Sequence, residues 1–246
     1  MHTFLCRGLL GSALLLGGAT GAQAQLTFGP RVGLNATTIH YDFGDYREPE
    51  TRLRTGLQAG LSLNAQFGKL AVQPSLLFTQ RGGKSTATGS LTYAGDTTRA
   101  FEFRNTTRLH YLELPVNLVY STKGAQGGFQ VFAGPYVALG LNGRTNSDMD
   151  FTTQAGAQRT TSSGTLSQSV SFTNKRGKVS HVEYLQALDA GLNFGVGYKL
   201  NGLQAQLGYG LGLRNMILDY PDGQQPMPEG KSYNRGLHFS LAYFLG

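Results

Sequence analysis

Apolar and polar residues alternate with a period of two through eight stretches of the chain, the last of which runs to the C-terminus. In Arg54 to Phe67, Leu57, Ala59, Leu61, Leu63, Ala65 and Phe67 share one parity, while Gly56, Gln58, Gly60, Ser62, Asn64 and Gln66 share the other. Successive side chains of a strand point to opposite faces, so each stretch predicts a strand with one oily and one polar wall. The same pattern places strands at about 26–39, 70–81, 108–120, 129–142, 184–200, 203–214 and 235–246. Connections are long and polar after the first, third, fifth and seventh strands and short after the second, fourth and sixth. Gly68-Lys69 and Asn201-Gly202 read as tight turns, the latter a strong hairpin signal. Alternation persists inside two of the long connections, at Leu91, Tyr93, Phe101 and Phe103 and at Met149, Phe151, Val170 and Phe172. Those segments are expected to be projecting hairpins.

The expected fold is an all-β, eight-stranded antiparallel up-and-down transmembrane β-barrel over residues 26–246, with lipid outside and polar groups inside. Short turns on one side and long loops on the other imply that both termini lie in the periplasm. Phe28, Phe67, Tyr120, Phe129, Tyr198 and Tyr243 would then form an aromatic girdle at the periplasmic edge. Four prolines, Pro30, Pro74, Pro115 and Pro135, oppose the reading, because proline cannot donate to a ladder and a closed barrel has no free edge. They are expected at bulges or at the rim. Periodicity alone also fits the inverse, a soluble lipocalin-like barrel with an apolar interior.

Residues 1–24 read as a secretory signal peptide, with Arg7, an apolar run from Leu9 to Ala19, and Ala22-Gln23-Ala24 as a small-x-small cleavage site. That run is shorter than the ~20 residues of a spanning helix. The single cysteine, Cys6, falls in this segment, so the mature chain is expected to lack disulfides and thiolate chemistry. The 35 glycines suit a narrow lumen and tight turns. The net charge of +7 comes without a lysine-rich run or a basic helix, which argues against nucleic acid. Loop arginines are expected instead to meet outer-membrane lipid and lipopolysaccharide.

Ordered motifs add a resemblance. Val32-Gly33-Leu34-Asn35, Val72-Gln73-Pro74-Ser75-Leu76-Leu77-Phe78, Tyr111-Leu112-Glu113-Leu114-Pro115, Ala133-Gly134-Pro135-Tyr136 and Asp189-Ala190-Gly191-Leu192 follow one another along the chain. As a set they resemble the PorT-like small outer-membrane β-barrels of Bacteroidetes-type bacteria. The resemblance implies the barrel fold and a place for three of the prolines. It carries over no activity; some relatives serve type IX protein secretion, which makes envelope or secretion-system proteins conceivable partners.

Candidate chemistry centres on inward charges. A structural lumen network of Arg31, Glu113, Asp189 and Arg214 is expected. A two-residue Asn201-Gly202 turn makes paired positions sum to 403, which sets Asp189 opposite Arg214. Eight strands enclose only enough room for their own side chains, so an open pore is not expected. The chain reads as non-catalytic, without cofactor or metal site. The alternative is a rim enzyme acting on lipid or peptide, using His40, Asp42, Asp45, His181, Glu183 or His238. No spacing among these marks a nucleophile with its base.

Overall fold

The computed structural model describes residues 25–44, 48–93, 97–174, 182–218 and 230–245. The expected signal segment, Asp45 and His181 lie outside them. The strands are β1 (Gln25–Asp42), β2 (Glu50–Arg52), β3 (Arg54–Phe67), β4 (Leu70–Tyr93), β5 (Thr97–Ser121), β6 (Gly128–Ala155), β7 (Gln158–Thr173), β8 (Val182–Gln186), β9 (Leu188–Leu200), β10 (Leu203–Gly212) and β11 (Lys231–Tyr243). Eight of them, β1, β3, β4, β5, β6, β9, β10 and β11, form an antiparallel ring. It closes where Arg31–Asp42 of β1 pairs with Ala242–Lys231 of β11.

The walls separate by parity. Gln73, Asn117 and Gln204, each 1% exposed, point inward, whereas Leu26 at 63% and Phe129 at 71% point outward. An apolar exterior around a polar interior is the reverse of a lipocalin-like barrel. The fold is therefore a membrane-type barrel, whose outer face only lipid satisfies. The six girdle aromatics all point outward near the short-turn end, and Phe129 meets Tyr198 edge to face at 5.3 Å.

Turn chemistry fixes the register. Leu200 pairs with Leu203 across Asn201 (φ 49°) and Gly202 (φ 83°), two left-handed residues whose twist matches that of the strands. The prolines occupy neither bulges nor the rim. Each instead faces a two-residue lapse in one ladder: Pro30 towards β11, Pro74 towards β3, Pro115 towards β4 and Pro135 towards β5. A strand residue donates to only one neighbour, so a missing N–H interrupts one ladder and leaves the other paired. Pro115 faces the lumen and is buried, while Pro30 and Pro135 are exposed on the outer face. A register shift between His110 and Tyr111 inserts Leu141 as an extra residue in β6 and switches the parity of that strand above it.

Two of the long connections are projecting hairpins, as the alternation within them predicts. β4 and β5 stay paired to Tyr93 and Thr97, and β6 and β7 to Ala155 and Gln158. At about 3.3 Å per residue, Gly82 to Tyr93, which has no pairing with β3, spans roughly 35 Å. The result is an open projecting sheet in the order β2-β4-β5-β6-β7-β8, the last pair parallel.

Candidate functional site: a plugged lumen and a projecting sheet

The lumen is layered. On the short-turn side lies an amide ladder, in which Gln204 Nε2 donates to Gln130 Oε1 at 2.7 Å and to Gln73 Oε1 at 3.3 Å. Gln73 Nε2 donates in turn to Asn64 Oδ1 at 2.9 Å. Above it Arg31, 3% exposed, donates to Gln206 Oε1 and Ser240 Oγ, both at 2.8 Å. Next come the carboxylates. Arg81 Nη2 reaches Glu113 Oε2 at 2.5 Å and Arg81 Nη1 reaches Asp189 Oδ2 at 3.2 Å. The guanidinium also lies 4.5 Å from the ring centre of Tyr136. Asn234 Nδ2 and the Tyr136 hydroxyl donate to the same Asp189 oxygen, at 3.0 and 3.4 Å. Towards the long-hairpin side an apolar layer of Ile39, Leu109, Tyr111, Tyr136, Ala138, Val170, Leu185 and Met216 closes the stack. Between Arg31 and Arg81 remains a cavity of about 30 Å³, bordered by Asn35, Gln58, Asn117 and His238. That is room for about one or two waters, not a channel.

Of the four expected network residues, the structure buries Arg31, Glu113 and Asp189 in the lumen and leaves Arg214 exposed. The sum-403 register holds from Leu203–Leu200 to Gly212–Gly191 and then ends. The amides of Leu213 and Arg214 both converge on the Ala190 carbonyl, at 2.9 and 3.2 Å, so the count of two fails just before Asp189. Asp189 is neutralised by Arg81 instead. Arg81 was legible: the inward parity 71, 73, 75, 77, 79 of β4 continues to it. It closes the expected strand, where Gly82 and Gly83 look like the start of a loop.

The residues of the enzyme alternative are not brought together. Asp42 Oδ1 accepts from the Gly44 amide at 3.2 Å, and Glu183 Oε2 accepts from Thr145 at 2.7 Å. His238 lies in the lumen wall, 6.3 Å from Phe132 between ring centres. His40 is half-buried near the end of β1. Among the described residues no group of three or more His, Asp or Glu is arranged to hold a metal ion.

The projecting sheet has two unlike faces, because lumen parity continues upward through β5 and, after the Leu141 insertion, through β6. The inner face carries Phe101, Phe103, Met149 and Phe151, with Phe101 opposite Phe151 and Phe103 opposite Met149. Phe101 and Phe103 lie 5.3 Å apart, Phe103 meets Phe151 edge-on at 5.7 Å, and the Arg99 guanidinium caps Phe151 at 4.5 Å. The Phe101 ring covers Gly89 so closely that any Cβ there would overlap it. Nearby Leu91 and Tyr93 remain half exposed, at 54% and 51%. On the outer face Arg104 bridges Glu102 at 3.0 Å and Asp150 at 2.6 Å. Hydrogen bonding from Ser163, and then from Arg104, holds the Asp150 carboxyl below the usual carboxylate range.

Residues 22–218 match the model of a family described as outer membrane protein beta-barrel domain. No curated protein matches the chain. Solved structures similar to it include Ail, the attachment invasion locus protein of Yersinia pestis, in complex with the heparin analogue sucrose octasulfate. That match has 9% identity and a TM-score of 0.35, over 90% of this chain and 99% of that one. Neisserial surface protein A matches at 11% identity and a TM-score of 0.31, over 90% and 98%. Both overlays are loose.

Proposed function

Since the chain belongs to the outer membrane protein beta-barrel domain family, we propose that it is a non-catalytic integral outer-membrane protein that binds a surface or envelope partner through its projecting sheet. In this reading residues 1–24 are removed on export, both termini face the periplasm, and the long hairpins stand outside the cell. The ordered motifs support a place within the PorT-like group.

The observation that carries the reading is the aromatic inner face of Phe101, Phe103 and Phe151, held clear of the barrel on extended hairpins. Partly exposed aromatic clusters beside an arginine are typical anchors of recognition surfaces. The lumen supports binding rather than transport, because its midsection is filled by paired charges and capped by apolar side chains. Photo-crosslinkers placed at Leu91 and Leu166 in intact outer membranes test the proposal. One stoichiometric adduct, lost on Phe101→Ser/Phe151→Ser with the barrel still folded, is the expected result. Adducts that form only from belt positions such as Leu192 would assign partner binding to the barrel body instead.

A further inference from the structure

Just beyond the apolar belt, four cations line up on the outer face of the sheet. Arg52 of β2 stands directly opposite Lys84 of β4, and Arg108 of β5 directly opposite Arg144 of β6. Lys84 pairs with Thr106, which makes it the diagonal neighbour of Arg108 and links the two pairs into one stripe. All four side chains are exposed. Among the described residues none has a carboxylate at ion-pair distance: Glu102 and Asp150 are both engaged by Arg104 farther out, and Glu50, two residues along β2 and opposite Thr86, makes no ion pair with the stripe. Side chains directly opposite one another have Cβ atoms about 5 Å apart, and like charges so placed destabilise a sheet. Two such pairs in a row imply a counter-charge from outside the chain.

Their height identifies it. Phe78, Leu112 and Leu141 are the last outward apolar residues of β4, β5 and β6. The next level holds His110, stacked on Phe78 at 5.7 Å and hydrogen-bonded to Asn142 at 2.7 Å, an amphipathic pair suited to a membrane–water boundary. The stripe begins one level above it, where headgroup phosphates lie. We infer that Arg52, Lys84, Arg108 and Arg144 form a docking stripe for the phosphate groups of anionic membrane lipids. Arginine suits this ligand, since its planar fork matches phosphate oxygens two at a time. The inference rests on the barrel spanning a bilayer and is independent of the partner proposed for the aromatic face.

The test uses the full barrel in phosphatidylcholine vesicles with and without phosphatidylglycerol, read as the temperature of unfolding. Without anionic lipid, Arg108→Gln/Arg144→Gln removes only repulsion and should leave the midpoint unchanged or raised. With phosphatidylglycerol it should lower the midpoint by several degrees relative to the native chain, a reversal of sign. Arg52→Gln/Lys84→Gln should behave alike, and Arg214→Gln, an exposed cation off the stripe, should not. The same ordering in both vesicles, or an equal effect of Arg214→Gln, overturns the stripe. Stabilisation of the native chain by inorganic pyrophosphate in phosphatidylcholine alone would show a soluble anion as the ligand and overturn the lipid assignment. Failure to enter either vesicle would instead contradict the membrane-spanning reading.

Discussion

The lumen midsection and the projecting sheet are built from the same strands, β4, β5 and β6, yet they solve opposite problems. In the lumen every side chain faces other side chains across a narrow space. Buried charges must therefore find partners within the lumen: Arg81 serves two carboxylates, and Arg31 leans on the neutral oxygens of Gln206 and Ser240. Past the ring, the same strands lose their opposite wall. Their inward parity then carries rings that pack sideways on one another and on Gly89. Enclosure thus decides whether a strand's inner face becomes a filled polar plug or a surface with binding capacity left over.

The contrast is broken most severely at Arg81. Arg81→Met leaves Glu113 and Asp189 buried without their cation, which should cost about 3–5 kcal/mol in urea unfolding. The triple variant Arg81→Met/Glu113→Gln/Asp189→Asn should recover most of that loss. A loss below about 1 kcal/mol for the single variant would mean that the lumen is hydrated enough to screen the cluster.

Glycine offers the same substitution in both regions. A Cβ at Gly60 would overlap the Leu76 carbonyl on the neighbouring strand, so Gly60→Ala should destabilise by about 3 kcal/mol. At Gly164 the nearest atom is Met149 Cε at 3.9 Å. There the alanine should be neutral or stabilise by up to about 1 kcal/mol, since it only removes backbone freedom from the unfolded chain. Equal effects at both sites would erase the distinction between packed ring and open sheet.

Phe101→Ala should cost about 1 kcal/mol, by uncovering Gly89 and losing the Phe103 and Phe151 contacts, and should weaken partner crosslinking far more than it weakens the fold. The smallest effect is expected at Asp150. Its folded pKa is depressed, so its contribution is present above the unfolded value of about 3.9 and is lost as pH falls through the lower folded value. Amide protection factors near Asp150 and Ser163, corrected for the intrinsic pH dependence of exchange, should therefore hold steady from pH 7 to about 5 and fall only in stronger acid. A fall near pH 6 would assign the effect to another group.

These two regions were not equally legible in the sequence. Alternation alone placed the ring strands, because a one-residue slip turns an entire face from lipid to lumen. It also marked the hairpins through Leu91, Phe101 and Phe151. What it missed were the places where the count of two is interrupted. Leu141 shifts the parity of β6, and the shared Ala190 carbonyl ends the register before Arg214. Both insertions are set by how neighbouring strands coil around the barrel, which no local pattern records. Arg81 is a different case. Its parity was plain, but Gly82 and Gly83 looked like the start of a loop, whereas they let β4 pass close beside Thr107 and Ile39. The prolines sit inside the ring because each interrupts the ladder to one neighbour only, which a one-strand pattern does not show.

Cysteine labelling tests most directly whether the barrel crosses the outer membrane with its projecting sheet outside. Cys6 is the only native cysteine, so single thiols can be introduced at Ser163 on the sheet, Leu192 on the belt and Gly68 in a short turn. On intact cells a membrane-impermeant maleimide should label Ser163→Cys at once and spare Leu192→Cys, and should reach Gly68→Cys only after the outer membrane is opened. Immediate labelling at Gly68 with protection at Ser163, or free labelling at Leu192, would contradict that arrangement.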